Sequence, residues 1–163
     1  MIFCVTSLFA DLEILGGKVV NASIGPLGFD LTNDGNVDIT MSSNGMLGIG
    51  TSDPKSSMEV AGSVGFNLET FTASTGTISG NSIVLADTAS GNITLTLPVA
   101  STVTGRLYQI KKISDNYQLS ITAAANIDNY NSAIVLSTSA SGFPYVNVVS
   151  SGTQWLITSR SPD

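Results

Sequence analysis

Histidine is absent from this 163-residue sequence, and cysteine occurs once, at Cys4. Together these facts remove Cys/His zinc centres, Ser-His-Asp triads and Cys-His dyads from consideration. Cys4 is open to three readings, a free thiol, an intermolecular disulfide or a small buried hydrophobe, of which the last fits a lone cysteine best. Charge is also scarce, at 11% of residues with a net charge of −6. Without a basic stripe to meet a phosphate backbone, nucleic-acid binding is not expected. No apolar run reaches the about 18 residues that a spanning helix requires, so membrane insertion is not expected either. Helix formers such as Lys and Glu are few beside Thr, Ser, Asn and Gly, and an all-β chain with almost no helix follows.

What the chain does have is apolar surface, with a mean hydropathy of +0.30. One small domain with so few charges does not hide that surface easily, and self-association would account for it. The charge is lopsided: residues 1 to 70 carry eight acids against Lys18 and Lys55, whereas residues 71 to 163 carry four acids against four bases.

Within the acidic part, Gly25 to Pro54 reads as three turns of a ten-residue repeat. Glycine recurs at Gly25, Gly35 and Gly45, and apolar pairs follow at Leu27/Phe29, Val37/Ile39 and Leu47/Ile49. Alternation at period two indicates strands, and Asp34-Gly35 and Asn44-Gly45 indicate tight turns. One such unit cannot bury its apolar edge, so the six paired residues are expected to face other units or other copies of the chain. Residues 16 to 66 are therefore expected to form a repetitive β stalk of intertwined or stacked strands.

Ahead of the stalk, residues 1 to 15 form an apolar segment, either a leader remnant or a strand that pairs with a neighbouring subunit. Residues 11 to 15 alternate as a half-buried strand, and Lys18 to Ser23 reads as another. Residues 67 to 80, rich in Thr, Ser and Gly, read as a linker or edge strand. Beyond them, strands are expected at Ile83–Ala86, Asn92–Leu97, Leu107–Ile113, Leu119–Thr122, Ala133–Thr138, Tyr145–Ser150 and Gln154–Thr158. Such regular spacing, punctuated by turn formers, implies a β-sandwich or jelly roll over residues 81 to 160.

Two stretches carry a resemblance. Asn44 to Val64, with Gly48-Ile49-Gly50-Thr51, Pro54, the Met58/Val60 pair, Gly62 and Val64, resembles a motif of phage tail-fibre and bacterial surface-fibre proteins. In that family the motif belongs to intertwined homotrimeric β-structure near the join of shaft and tip, and the resemblance implies the same here. Ile83 to Asp87, Ile93 to Pro98, Gly105 to Lys112 and Ser151 to Ile157 resemble, more loosely, a C-terminal domain of the same proteins. The function implied is that of a structural and adhesive fibre subunit, extracellular or on a virion surface. It would join copies of itself as a homotrimer and present its tip to a cell-surface glycan or protein receptor. The alternatives are a self-assembling extracellular filament with N-terminal strand exchange, and a glycan-degrading tip enzyme.

Asp30, Asp34 and Asp38 have the spacing of part of a calcium loop, but position twelve is Met41 where a bidentate carboxylate belongs. The repeat accounts for them as an Asp-Gly turn without any ion, and no cofactor is expected. Tyr117, Asn129 and Tyr130 lie in Asn-rich loops of the tip and are the candidate receptor contacts, because aromatic faces beside amides suit sugars. Tyr108, Tyr145 and Trp155 are expected in the core, and Lys111-Lys112 on a solvated strand edge. Asp87, Asp115 and Asp128 show no setting for paired-carboxylate hydrolysis, so catalysis is not expected.

Overall fold

Three- to six-residue strands separated by Gly, Asn, Asp and Ser leave little room for helix, and the computed structural model of the chain is all-β. It describes residues 12–15, 18–21, 25–80, 82–128, 133–137 and 142–161, the first two ranges as backbone. Two compact units divide the chain at residues 65 and 66.

In the first unit, β1 (Leu12–Leu15) and β2 (Lys18–Asn21) form an antiparallel hairpin. β3 (Leu27–Phe29), β4 (Ile39–Met41), β5 (Leu47–Ile49) and β6 (Met58–Val60) follow as one sheet in chain order. β3, β4 and β5 run antiparallel to one another, and β6 lies parallel to β5. The β4–β5 turn is built around Gly45, whose φ of +78° requires glycine and whose N–H donates to Ser42 O at 3.0 Å. The parallel β6 is reached because Gly50, at φ +69°, turns the chain out of β5.

In the second unit the chain alternates between two sheets. β7 (Leu68–Phe71), β9 (Ile83–Ala86) and β11 (Leu107–Lys112) lie side by side and parallel in one of them. β8 (Thr75–Thr77), β10 (Ile93–Thr96) and β12 (Leu119–Thr122) do the same in the other. β13 (Ile134–Leu136) then adds antiparallel to β12, β14 (Tyr145–Ser150) to β11, and β15 (Trp155–Arg160) to β14. The result is a two-sheet sandwich whose first half is a parallel winding, unlike the antiparallel Greek keys of a jelly roll. A 3₁₀ turn, Ala100–Thr102, follows β10.

The core of this unit is made by the inward positions of each strand, among them Val84, Leu95, Ile110, Ile121 and Val148, all with no exposed surface. Each such side chain contributes about 1.5–3 kcal/mol of burial. Tyr108 and Trp155 are also fully buried, with ring centroids 5.4 Å apart, and each places its polar atom on a carbonyl. Tyr108 Oη donates to Ser79 O at 2.9 Å and Trp155 Nε1 to Pro98 O at 3.1 Å.

Of the two readings of residues 67 to 80, linker or edge strand, the second is found: β7 and β8 are edge strands of the two sheets, and Ile78 beside them is fully buried. Two expectations need correction. Tyr145 is 39% exposed, because the strand phase that buries Val146 and Val148 turns it outward. Lys112 is fully buried, because the phase that buries Tyr108 and Ile110 turns it inward.

Gly76 in β8 allows Phe71 to pack against the core. A Cβ there would stand 2.4 Å from the Phe71 ring and 3.1 Å from Leu95 Cδ2. Gly76→Ala is expected to destabilise the chain by about 1–2 kcal/mol through this overpacking, read as a lower urea midpoint with an unchanged slope.

Candidate functional site

The sheet β3–β6 has two contrasting faces, fixed by its register. Leu27 and Phe29 pair with Met41 and Ile39, which pair with Leu47 and Ile49, which in turn pair with Met58 and Val60. Cross-strand partners share a face, so all eight of these apolar side chains point the same way. The strand positions between them, Gly28, Thr40, Gly48 and Glu59, form the other face.

The chain covers the middle of the second face itself, while Gly28 at its edge is exposed. Thr40, Gly48 and Pro54 are buried. Val37 packs on Gly28, where a Cβ would meet its methyls at 2.9 and 3.0 Å, and Thr51 O lies 2.4 Å from the Cβ position of Gly48. On the apolar face Phe29 is 37% exposed, Ile49 36%, Met41 50% and Met58 58%, while Leu27, Ile39, Leu47 and Val60 are half-buried. Among the described residues of this unit no hydrophobic side chain joins a buried core; the only hydrophobic cluster begins at Ile78.

Five of the six expected stalk residues, Leu27, Phe29, Ile39, Leu47 and Ile49, therefore do lie together. Val37 does not. It precedes β4 and covers Gly28 from the opposite side, so the ten-residue period slips by two positions in its second turn. Met41, Met58 and Val60 complete the face in its stead. The Met58/Val60 alternation is visible in the sequence, whereas Met41 could be found only from the antiparallel register.

The aspartates of the Asp30–Asp38 loop are used as acceptors for backbone N–H groups. Asp30 Oδ1 accepts from Asn33 N at 2.6 Å and Asp34 N at 3.3 Å, and Asp30 Oδ2 from Gly35 N at 2.9 Å. Asp38 Oδ2 accepts from Leu31 N at 2.7 Å and Thr32 N at 3.0 Å, and Asp34 Oδ1 from Asn36 N at 2.8 Å. Among the described residues no group of three or more acidic or cysteine side chains is gathered as metal ligands. The N–H of Gly35 above all holds the Asp30 carboxyl below its ordinary value, and that of Asn36 does the same for Asp34. For both, the stabilisation is full above the ordinary value of 3.8 and is lost as pH falls through the lowered folded value. Carboxyl-carbon NMR is expected to place both titration midpoints below 3.8.

In the second unit, Tyr117 is 52% exposed and sits at φ +57° in a loop tied down by Thr88, whose hydroxyl donates to Asn116 O and Ser114 O. Gln118 N donates to Asn92 Oδ1 at 2.9 Å on the other side of that loop. Asn129 and Tyr130 lie outside the described residues, as does Cys4. Two of the tip carboxylates are structural: Asp87 Oδ1 accepts from Ala89 N at 3.1 Å and Asp128 Oδ1 from Ile157 N at 3.1 Å.

A cleft of about 460 Å³ lies between the Ser42–Met46 turn and the Ser52–Lys55 loop, and its charged residues, Asp53 and Lys55, are paired with each other. Set beside known proteins, the chain matches no family model and no curated sequence.

Proposed function

We propose that this chain is a structural and adhesive fibre subunit that associates with copies of itself through the β3–β6 sheet and presents the two-sheet unit as its tip. One observation carries the reading: a sheet of four strands with eight apolar side chains on one face and, among the described residues, no core beneath it. A sheet that buries Thr40 and Gly48 on one side and leaves Phe29, Met41, Ile49 and Met58 exposed on the other gains from a second apolar surface. Copies of the same chain supply one of matching chemistry without any other partner. Trimerisation is the form implied by the likeness of Asn44 to Val64 to the fibre motif. Tyr117 is the described residue best placed for a receptor, being aromatic, exposed and held on a pinned loop. An extracellular or virion-surface setting follows from the same likeness.

Sedimentation equilibrium of the full chain tests the association. A species of three times the 16.8 kDa chain mass is expected; a stable monomer at micromolar concentration overturns the reading, and an open-ended mass distribution replaces the closed trimer by a filament.

A further inference from the structure

The two sheets of the sandwich present different outer faces. Around β8, β10 and β12 the buried positions are Leu95, Ile93, Leu119 and Ile121, so the alternate residues point out. These are Thr75 and Thr77, Thr94 and Thr96, and Ser120 and Thr122. The strands are parallel and in register, with Thr94 beside Thr75 and Ser120, and Thr96 beside Thr77 and Thr122. Two straight rows of hydroxyls result, with neighbours about 4.8 Å apart across strands and about 6.6 Å apart along them. The grid is a consequence of the winding, since each pass of the chain lays the same Thr-x-Thr or Ser-x-Thr unit onto the last. Its centre is ordered by the protein itself: Thr96 Oγ1 and Thr122 Oγ1 are 3.2 Å apart, and Thr122 Oγ1 donates to Leu95 O at 3.2 Å. No charged side chain stands on these six positions, in a chain whose net charge is −6.

We propose that this hydroxyl grid is a docking face for solid water, that is, for the surface of ice. Charge complementarity selects a neutral partner, because an ionic ligand would find no counter-charge on the rows. A glycan is disfavoured because the rows carry no aromatic platform and no amide or carboxylate to orient a sugar. A second copy of the chain is disfavoured because dry packing would strip six hydroxyls of water with little large apolar surface gained in return. An ordered water lattice has none of these conflicts. Ice surfaces repeat their oxygens at close to the two intervals of the grid, threonine methyls fit between the lattice positions, and hydroxyls held in place lose little freedom on binding. A patch of three strands is small, and self-association would multiply it.

The test is ice recrystallisation by the full chain, with a fluorescent label to show adsorption to a growing crystal. Wild-type protein is expected to slow grain growth and decorate the ice. Thr96→Lys at the centre of the grid and Thr77→Lys on its edge strand should each lower the potency at least tenfold while circular dichroism stays that of the wild type. Thr70→Lys, which adds the same charge to the outer face of the other sheet, should leave it unchanged. Wild-type protein that is folded yet neither labels ice nor slows its growth overturns the inference. So do grid variants as potent as the wild type, or capture by insoluble neutral polysaccharide in place of ice. The fibre reading stands or falls separately by sedimentation: an oligomer that ignores ice refutes only the grid, and a monomer that binds ice refutes only the fibre.

Discussion

Lys112→Met is expected to raise the unfolding free energy by about 2–3 kcal/mol, since an uncompensated buried charge costs about that much or more. Lys112 ends β11 with no exposed surface, and its Nζ has no hydrogen-bond partner among the described residues. Burial of an ammonium without a partner penalises the charged form, so the pKa is lowered from the ordinary 10.5, an effect the nearby Asp115 carboxylate only partly offsets. Methionine keeps the length and flexibility of the stem and removes the charge, and volume-conserving replacements cost little packing. At about 4–8 °C per kcal/mol for a domain of this size, the melting temperature should rise by roughly 10 °C or more.

The pH dependence separates this cause from a generic packing gain. Below the lowered folded pKa both states carry the proton, and the full penalty weighs on the native state. Between that value and 10.5 the native state sheds its proton first, so the unfolded state binds more protons and stability rises with pH. Lys112→Met lacks this titration. Urea midpoints at neutral pH and near pH 10 should therefore differ for the wild type and the gap to the variant should shrink at the higher pH; a gap that stays constant would assign the effect to packing alone.

The strands of the tip were legible in the sequence because apolar alternation at period two marks a sheet buried on one side. Ile83–Ala86, Leu119–Thr122 and Tyr145–Ser150 fall where alternation and turn residues place them. Phase was legible too, but chemistry competed with it. In Leu107–Lys112 the alternation that buries Tyr108 and Ile110 must bury Lys112, and in Tyr145–Ser150 the one that buries Val146 and Val148 must expose Tyr145. A charge reads as surface and an aromatic as core, and in both strands the pleat prevailed. Which strands are neighbours was not legible: pairing of Thr94 with both Thr75 and Ser120 is long-range, and nothing local distinguishes parallel winding from a Greek key. The same limit hid Met41, whose place on the apolar face depends on its pairing with Leu27 and Leu47.

That face carries the other large effect. Ile49 sits between Ile39 and Val60 at the middle of the sheet, and Phe29 lies beyond Ile39. In the associated state each side chain would lose its remaining exposure of 36% and 37%. Ile49→Asp removes an apolar contact and places a carboxylate where no counter-charge is available, so the interface loses burial worth about 0.5–1 kcal/mol per side chain, the remaining third of a full burial, and must also desolvate a charge. With several copies meeting, the substitution is repeated in every subunit, and mutual repulsion adds to the loss. Association is expected to weaken at least a hundredfold, converting the assembly into 16.8 kDa chains in velocity sedimentation, with Phe29→Asp acting in the same way. Because the tip has its own core from Ile78 onward, near-UV circular dichroism of the buried Tyr108 and Trp155 pair should remain native in both variants. Leu31→Asp provides the control: Leu31 is 68% exposed but lies in the Asp30–Asp38 loop, off the sheet, and the substitution makes the same change in net charge. If Leu31→Asp dissociates the assembly as readily as Ile49→Asp, long-range repulsion in an already acidic chain governs assembly and the apolar face does not. If it leaves the assembly intact while Ile49→Asp and Phe29→Asp break it, the subunits meet on the face that the β3–β6 register defines.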